Sequence, residues 1–269
     1  MGILKDVFTV LFAGFLFSSV TASAQEMSQE ELEKAIQNPL AYLIFVPFEN
    51  NTDFGIGEFN RTRNELDIQP VLPFRLGKNV NLITRTIFPI ITQPLGENES
   101  KTGLGDITLD MFITPEKKGV TQWGAGIVLG LPTATNEVLG TKKWTAGPGI
   151  MFIAQPENWT MGLLAQNSWS FAGDKNRGDI NFFFLMVLLS RNLPDSWYIS
   201  TCPKITADWK VESDNRWTVP IGLDVGRLFM FGEFPINLQA GYYYNIVKPE
   251  GWSKWQLRAE ADFILPKFY

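Results

Sequence analysis

The chain has 269 residues, a net charge of −5 and a sequence pI near 5.0, so a nucleic-acid partner, which would need a basic face, is excluded. It carries one cysteine, Cys202, and no histidine. That removes an intrachain disulfide, leaves no basis for a Cys-ligated metal cluster, and takes away the commonest general base and a frequent metal ligand. Hydrophobic residues at 45% and a mean hydropathy of −0.01 fit neither a disordered chain nor a helical membrane protein. The aromatic content of 13% is high, as two aromatic girdles at membrane interfaces would require.

Residues 1–24 have the form of a cleaved signal peptide: Lys5 is basic, Val7 to Phe17 is mostly apolar, and Ala22-Ser23-Ala24 is a small-x-small cleavage site. The apolar run is shorter than the ~18–20 residues a spanning helix needs. A short membrane anchor is the alternative. Residues 25–39 form a separate piece. Ser28 and Glu31 have capping-box spacing and Pro39 lies beyond, which predicts a short helix from Met27 to Gln37 with Leu32 and Ile36 on one side. Two placements remain open for it: a solvated periplasmic lead-in, or a small plug against or inside a barrel mouth.

From residue 40 to 269 no stretch has a convincing helical period, and strand-length runs alternate with turn-forming clusters. The runs are Leu40–Phe48, Asn64–Leu76, Val80–Ile90, Leu104–Ile113, Gln122–Leu131, Ala146–Gln155, Trp159–Phe171, Ile180–Ser190, Trp197–Trp209, Trp217–Val225, Ile236–Ile246 and Trp255–Tyr269. Most show a period of two, with one apolar and one polar register. In the last run, Trp255, Leu257, Ala259, Ala261 and Phe263 alternate with Gln256, Arg258, Glu260 and Asp262. Ile180–Ser190 is nearly all apolar, so its facing stays undecided. Longer polar connections, at Asn50–Arg63, Gln93–Gly103, Thr133–Thr145, Ala172–Asp179, Lys210–Arg216 and Val247–Lys254, alternate with tight ones. Loops on one side and short turns on the other are expected of a barrel inserted in one direction. The pattern predicts an all-β protein, a transmembrane antiparallel up-and-down β-barrel of about 12 strands with a short N-terminal helix. Pro47, Pro70, Pro73, Pro89, Pro132, Pro148, Pro203 and Pro220 fall in or beside these runs and require bulges or strand ends. The last strand must pair with the first, and its terminal aromatic Tyr269 is in phase with the lipid-facing register. That strand is also where barrel-assembly machinery would engage.

The segments LIFVPFENNTDF (43–54), NELDIQPVLPF (64–74), NLITRTIFP (81–89), GLGDI (103–107), LPTAT (131–135), WSFAG (169–173), WTVP (217–220), YYNIVKP (243–249) and WQLR (255–258) occur in this order. Together they resemble the bacterial family named for the phenol-degradation meta-pathway, outer-membrane channel-like proteins sometimes labelled transporter or neuromedin U. The resemblance covers nearly the whole mature chain and implies an outer-membrane location, and the pathway name implies aromatic compounds. It brings no motif with an assigned chemical role. Phe268-Tyr269 extend beyond the end expected of members.

If the apolar registers face lipid, Glu65, Asp67, Arg75, Arg85, Asp106, Asp110, Lys204, Asp208, Asp224, Arg258, Glu260 and Asp262 line the lumen. They would form an aqueous path or a mutually paired, closed interior; about twelve strands decides neither. Glu260 and Asp262 with Asp106 or Asp110 could be catalytic carboxylates or a cation site, but charge pairing with Arg258, Arg85 and Lys204 is the more economical reading. Cys202 lacks the His partner of a nucleophile. Gly124, Gly126 and Gly130 do not form a dinucleotide fingerprint, since no helix follows; small residues that let the wall or an inserted segment pack closely explain them better. The expectation is a non-enzymatic bacterial outer-membrane channel or transporter for small, apolar or aromatic, molecules, without cofactor or metal. Its partners are membrane lipid and a solute. The alternative is a structural or adhesive barrel with a closed polar core.

Overall fold

The computed structural model describes residues 27–265 apart from 117–118 and 233; the segment expected to be a signal peptide and the aromatic end at Phe268-Tyr269 lie outside the described residues. Among the described residues, one helix, α1 (Gln29–Ile36), precedes the sheet. Ser28 caps it with both arms of the capping box in place: its hydroxyl accepts from Glu31 N–H, and the Glu31 carboxylate accepts from Ser28 N–H.

The first strands are β1 (Phe45–Ile56), β2 (Arg61–Ile68), β3 (Val71–Arg75), β4 (Val80–Pro94), β5 (Ser100–Leu104) and β6 (Ile107–Pro115). Then come β7 (Thr121–Leu131), β8 (Lys143–Ala154), β9 (Trp159–Gly173), β10 (Asn181–Asn192), β11 (Trp197–Thr201) and β12 (Lys204–Asp208). β13 (Trp217–Phe231), β14 (Phe234–Val247) and β15 (Trp255–Ile264) complete the sheet. All pairings are antiparallel, and β15 pairs with β1 from Phe45↔Ile264 to Phe54↔Trp255, which closes the barrel. β2 with β3, β5 with β6, and β11 with β12 are single spans interrupted at Gln69-Pro70, Gly105-Asp106 and Cys202-Pro203, so the sheet crosses twelve times. Two of those interruptions hold a proline that lacks a ladder donor.

Alternation sorts the side chains as expected. Along β15, Arg258 and Asp262 are buried inward while Leu257 and Phe263 are exposed outward. Outward aromatics gather at both ends of the spans: Trp123, Phe152, Trp159 and Trp197 near the short turns, and Trp144, Trp169, Trp209 and Trp255 near the loops. An apolar waist between two aromatic belts is the surface of an outer-membrane barrel, and the short-turn end is periplasmic. Arg191 and Arg227 are the outward charges among the described strands. They sit at the short-turn rim over the Trp159 and Trp197 rings, at 5.4 and 5.2 Å, where water is within reach.

Three sequence readings change. The first strand begins at Phe45, not Leu40: Leu40 and Leu43 are buried inside the barrel, so their hydrophobicity serves the interior and not lipid. The connections expected at Asn50–Arg63 and Gln93–Gly103 are mostly strand, reduced to turns at 57–60 and 95–99. Outward Asn50, Thr52 and Asn64 bond one another there (Asn50 Nδ2 to Asn64 Oδ1, 3.1 Å; Asn64 Nδ2 to Thr52 Oγ1, 2.9 Å), so both faces are polar and alternation disappears. In β10 the undecided facing is settled: Met186, Leu188 and Ser190 point inward, while Val187 and Leu189 point to lipid.

Candidate functional site: the barrel lumen

The lumen has two storeys. The periplasmic storey is apolar. Ile36 and Leu43 from the N-terminal segment pack with Phe45, Val71, Ile83, Leu228 and Ile264 from the wall, with Met27, Leu32 and Ala35 against them. Leu40 enters a second cluster made by Phe112, Met151, Ile153, Leu164 and Met186. Gly124 makes room for it: a Cβ there would meet Leu40 Cδ2 at 2.8 Å. Polar side chains fix the segment. Gln37 donates to Asn192 (2.7 Å), Asn38 to Gln122 (3.0 Å) and Gln155 (3.2 Å), and Gln155 donates to the Lys34 carbonyl (2.8 Å).

The middle storey is charged. Arg258 lies over the Tyr243 ring (4.3 Å), donates to Asn51 (3.3 Å) and to the Cys202 carbonyl (3.1 Å), and stands 3.8 Å from Glu49. Lys204 pairs with Glu49, and the Tyr243 hydroxyl donates to Asp224. Asp262 accepts from Asn237 (2.8 Å), and the Tyr198 hydroxyl donates to Gln239 (2.9 Å). Arg85 and Asp110, directly opposite on β4 and β6, are joined through Arg85 Nε at 2.9 Å. Above them Arg63 pairs with Glu65 and, at 3.4 Å, with Asp53. A cavity of about 170 Å³ lies between the storeys, reached by Ile36, Phe112, Glu49, Arg85, Cys202 and Arg258.

Of the expected lumen residues, Glu65, Asp67, Arg85, Asp110, Lys204, Asp224, Arg258, Glu260 and Asp262 occupy the inward register of this interior. Three do not line it. Arg75 is largely exposed at the short-turn rim, paired with Glu116 at 3.0 Å and lying over the Tyr42 ring. Asp106 anchors the loop 132–142, accepting from Ala134 N (3.1 Å), Thr141 N (2.6 Å) and Thr141 Oγ1 (2.7 Å). Asp208 turns back to accept from Lys210 N (2.9 Å) at the loop end. In each case the residue has the inward parity but sits at a strand end or in the break between two strands of one span. On the anchored loop, Lys142 bonds Glu137 (2.8 Å) and lowers its carboxyl below the ordinary value.

Sequence reasoning missed Glu49, Asp53 and Arg63, because they stood in or beside a presumed loop, and Tyr243, an aromatic in a polar register. The spacing Glu49, Asn51, Asp53 was the available signal.

Residues 44–246 match the family described as "Putative MetA-pathway of phenol degradation". The chain belongs to this family. No curated protein matches its sequence. Among solved structures, an outer-membrane channel from Pseudomonas putida F1 superposes with a TM-score of 0.65 at 14% identity, over 92% of this chain and 100% of that one. The NanC porin superposes with a TM-score of 0.55 at 7% identity, over 83% of this chain and 100% of its own. These likenesses carry the barrel fold; the phenol-degradation family gives the chain its kin.

Proposed function

We propose that this barrel passes small solutes across the bacterial outer membrane, and that residues 27–43 close its periplasmic mouth at rest. The observation that carries the reading is how that segment is held. It contributes no strand to the wall, and docks through apolar contacts and side-chain hydrogen bonds that can be released without unbonding a strand. The apolar lower storey, with Phe112, Met151, Ile153, Leu164 and Met186, favours small apolar or aromatic molecules, in keeping with the family's pathway name. No histidine is available for the acid–base chemistry of an enzyme. Planar-bilayer recording of the mature protein beside a variant lacking residues 27–43 tests the proposal. The truncated barrel is expected to conduct steadily and the intact one in brief openings; silence from both would refute it. The paired charges of the middle storey favour the second reading, a closed structural barrel, which silence from both would support.

A further inference from the structure

The wall is not hydrogen-bonded throughout, and the interruption lies beside the cavity. β11 pairs with β13 from Trp197↔Arg227 to Ser200↔Asp224, and β12 pairs with it again at Thr206↔Thr218 and Ala207↔Trp217. The register is the same above and below. Residues 201–205 therefore stand opposite 219–223 with no ladder between them, while β10 on the other side stays bonded to both β11 and β12.

Two causes are visible. Val187 N–H donates to the Pro203 carbonyl (3.3 Å), which turns the backbone groups of odd residues in this span toward β10 and those of even residues toward β13. Cys202 is even, yet its N–H donates to the Tyr243 hydroxyl (2.8 Å) and its carbonyl accepts from Arg258 (3.1 Å), so neither bonds Gly222 opposite. Pro220, opposite Lys204, has no N–H to give. Two successive bonded pairs are lost, and at ~3.4 Å rise per residue the unladdered stretch is about 20 Å long.

Backbone groups inside a bilayer must be satisfied. At Cys202 two lumen side chains meet that need in place of the neighbouring strand. Arg258 stacks on Tyr243, and Tyr243 bonds Asp224, so the two form one unit on the inner side of the seam. Ser200, Cys202 and Lys204 border the cavity from within, while Ile221 and Leu223 stand exposed to lipid outside.

We propose that this seam is a lateral portal through which a small apolar solute leaves the lumen into the bilayer, with Tyr243 and Arg258 as its latch. The inference rests on the solute entering the lumen from the loop side, as in the function proposed above, but not on the periplasmic mouth opening. A reducible staple tests it. Residues 201 and 223 face each other as a non-hydrogen-bonded pair, the closer kind of cross-strand neighbour. Thr201→Cys with Leu223→Cys, in a Cys202→Ser background, joins the strands on oxidation. Gram-negative cells carrying this protein are exposed to N-phenylnaphthylamine, an apolar dye that an intact outer membrane excludes, and the purified protein is recorded in planar bilayers. The portal predicts loss of dye uptake on oxidation, recovery on reduction, and unchanged ion conductance. Equal uptake in both redox states would overturn it. Conductance absent in both states with uptake still staple-sensitive would instead remove the through-channel reading and leave the portal standing. Amide exchange in nanodiscs is an independent check: the amides of Lys204 and Gly222, which point into the unladdered gap, should exchange faster than those of β14, and equal protection would also overturn the portal.

Discussion

The two storeys of the lumen are filled by opposite chemistry. Below, apolar wall residues receive a segment that belongs to no strand; above, the wall's own charged side chains reach into the interior and are held by ion pairs and hydrogen bonds, with acids in excess. In the lower storey a contact can be broken and water or solute admitted while every wall strand keeps its partners. In the upper storey the charges are fixed to the wall, so breaking a pair strands an ion in a poorly solvated interior. Mobility of the docked segment therefore belongs to the lower storey, and the upper storey is held except at the unladdered seam beside Cys202.

Removing Arg258 is the severest way to break this comparison. Its guanidinium serves Glu49, Asn51, the Cys202 carbonyl and the Tyr243 ring at once. Arg258→Ala is expected to destabilise the barrel by about 3–5 kcal/mol, the usual loss when one partner of a buried pair is deleted. Urea titration of folded protein, followed by heat-modifiable gel migration, measures it. A loss no larger than a surface substitution gives would mean that the middle storey is hydrated.

Leu40→Ala probes the lower storey. Its side chain is buried among Phe112, Met151 and Leu164, so the docked segment is expected to lose about 2–5 kcal/mol. The barrel's own urea midpoint should barely move, because no wall strand loses a partner. Channel open time should rise. A falling midpoint with unchanged gating would show that the segment is part of the barrel core and not a movable occupant.

Asn38→Ala acts on the same segment more gently. It removes the amide that donates to Gln122 and Gln155, and at about 1 kcal/mol for a neutral hydrogen bond it should lengthen openings less than Leu40→Ala does. Open-time histograms from the two variants give the ranking.

Much of this was legible in the chain. The period of two in β14 and β15, the long-short rhythm of several connections and the capping box of α1 follow from local geometry, and the structure keeps them. The strand beginning was misplaced at Leu40 because an apolar residue of an inserted segment packed against the lumen wall and one of a strand facing lipid look the same in sequence. The turn after β1 was drawn too long because Asn50, Thr52 and Asn64 put polar groups on the lipid side near the rim, erasing the alternation. Arg75, Asp106 and Asp208 were assigned to the lumen because parity gives the side of a strand but not the depth. The missing ladder beside Cys202 was hinted at by Pro203 and Pro220, but only the register shows that Pro220 stands opposite Lys204.

Depth is also what the mildest substitution tests. Arg75 and Glu116 form an ion pair at 3.0 Å, comparable in geometry to those of the middle storey, yet their side chains are 60% and 35% exposed. Water solvates each partner when the other leaves, and salt screens the attraction, so Arg75→Ala should cost less than about 1 kcal/mol. The guanidinium also covers the Tyr42 ring at 5.7 Å, a contact that adds little at an exposed site. Measured in the same urea titration as Arg258→Ala, the two arginines should differ severalfold. Equal losses would mean that burial in the lumen is not what gives the inner ion pairs their weight, and the contrast between rim and interior would fail with it.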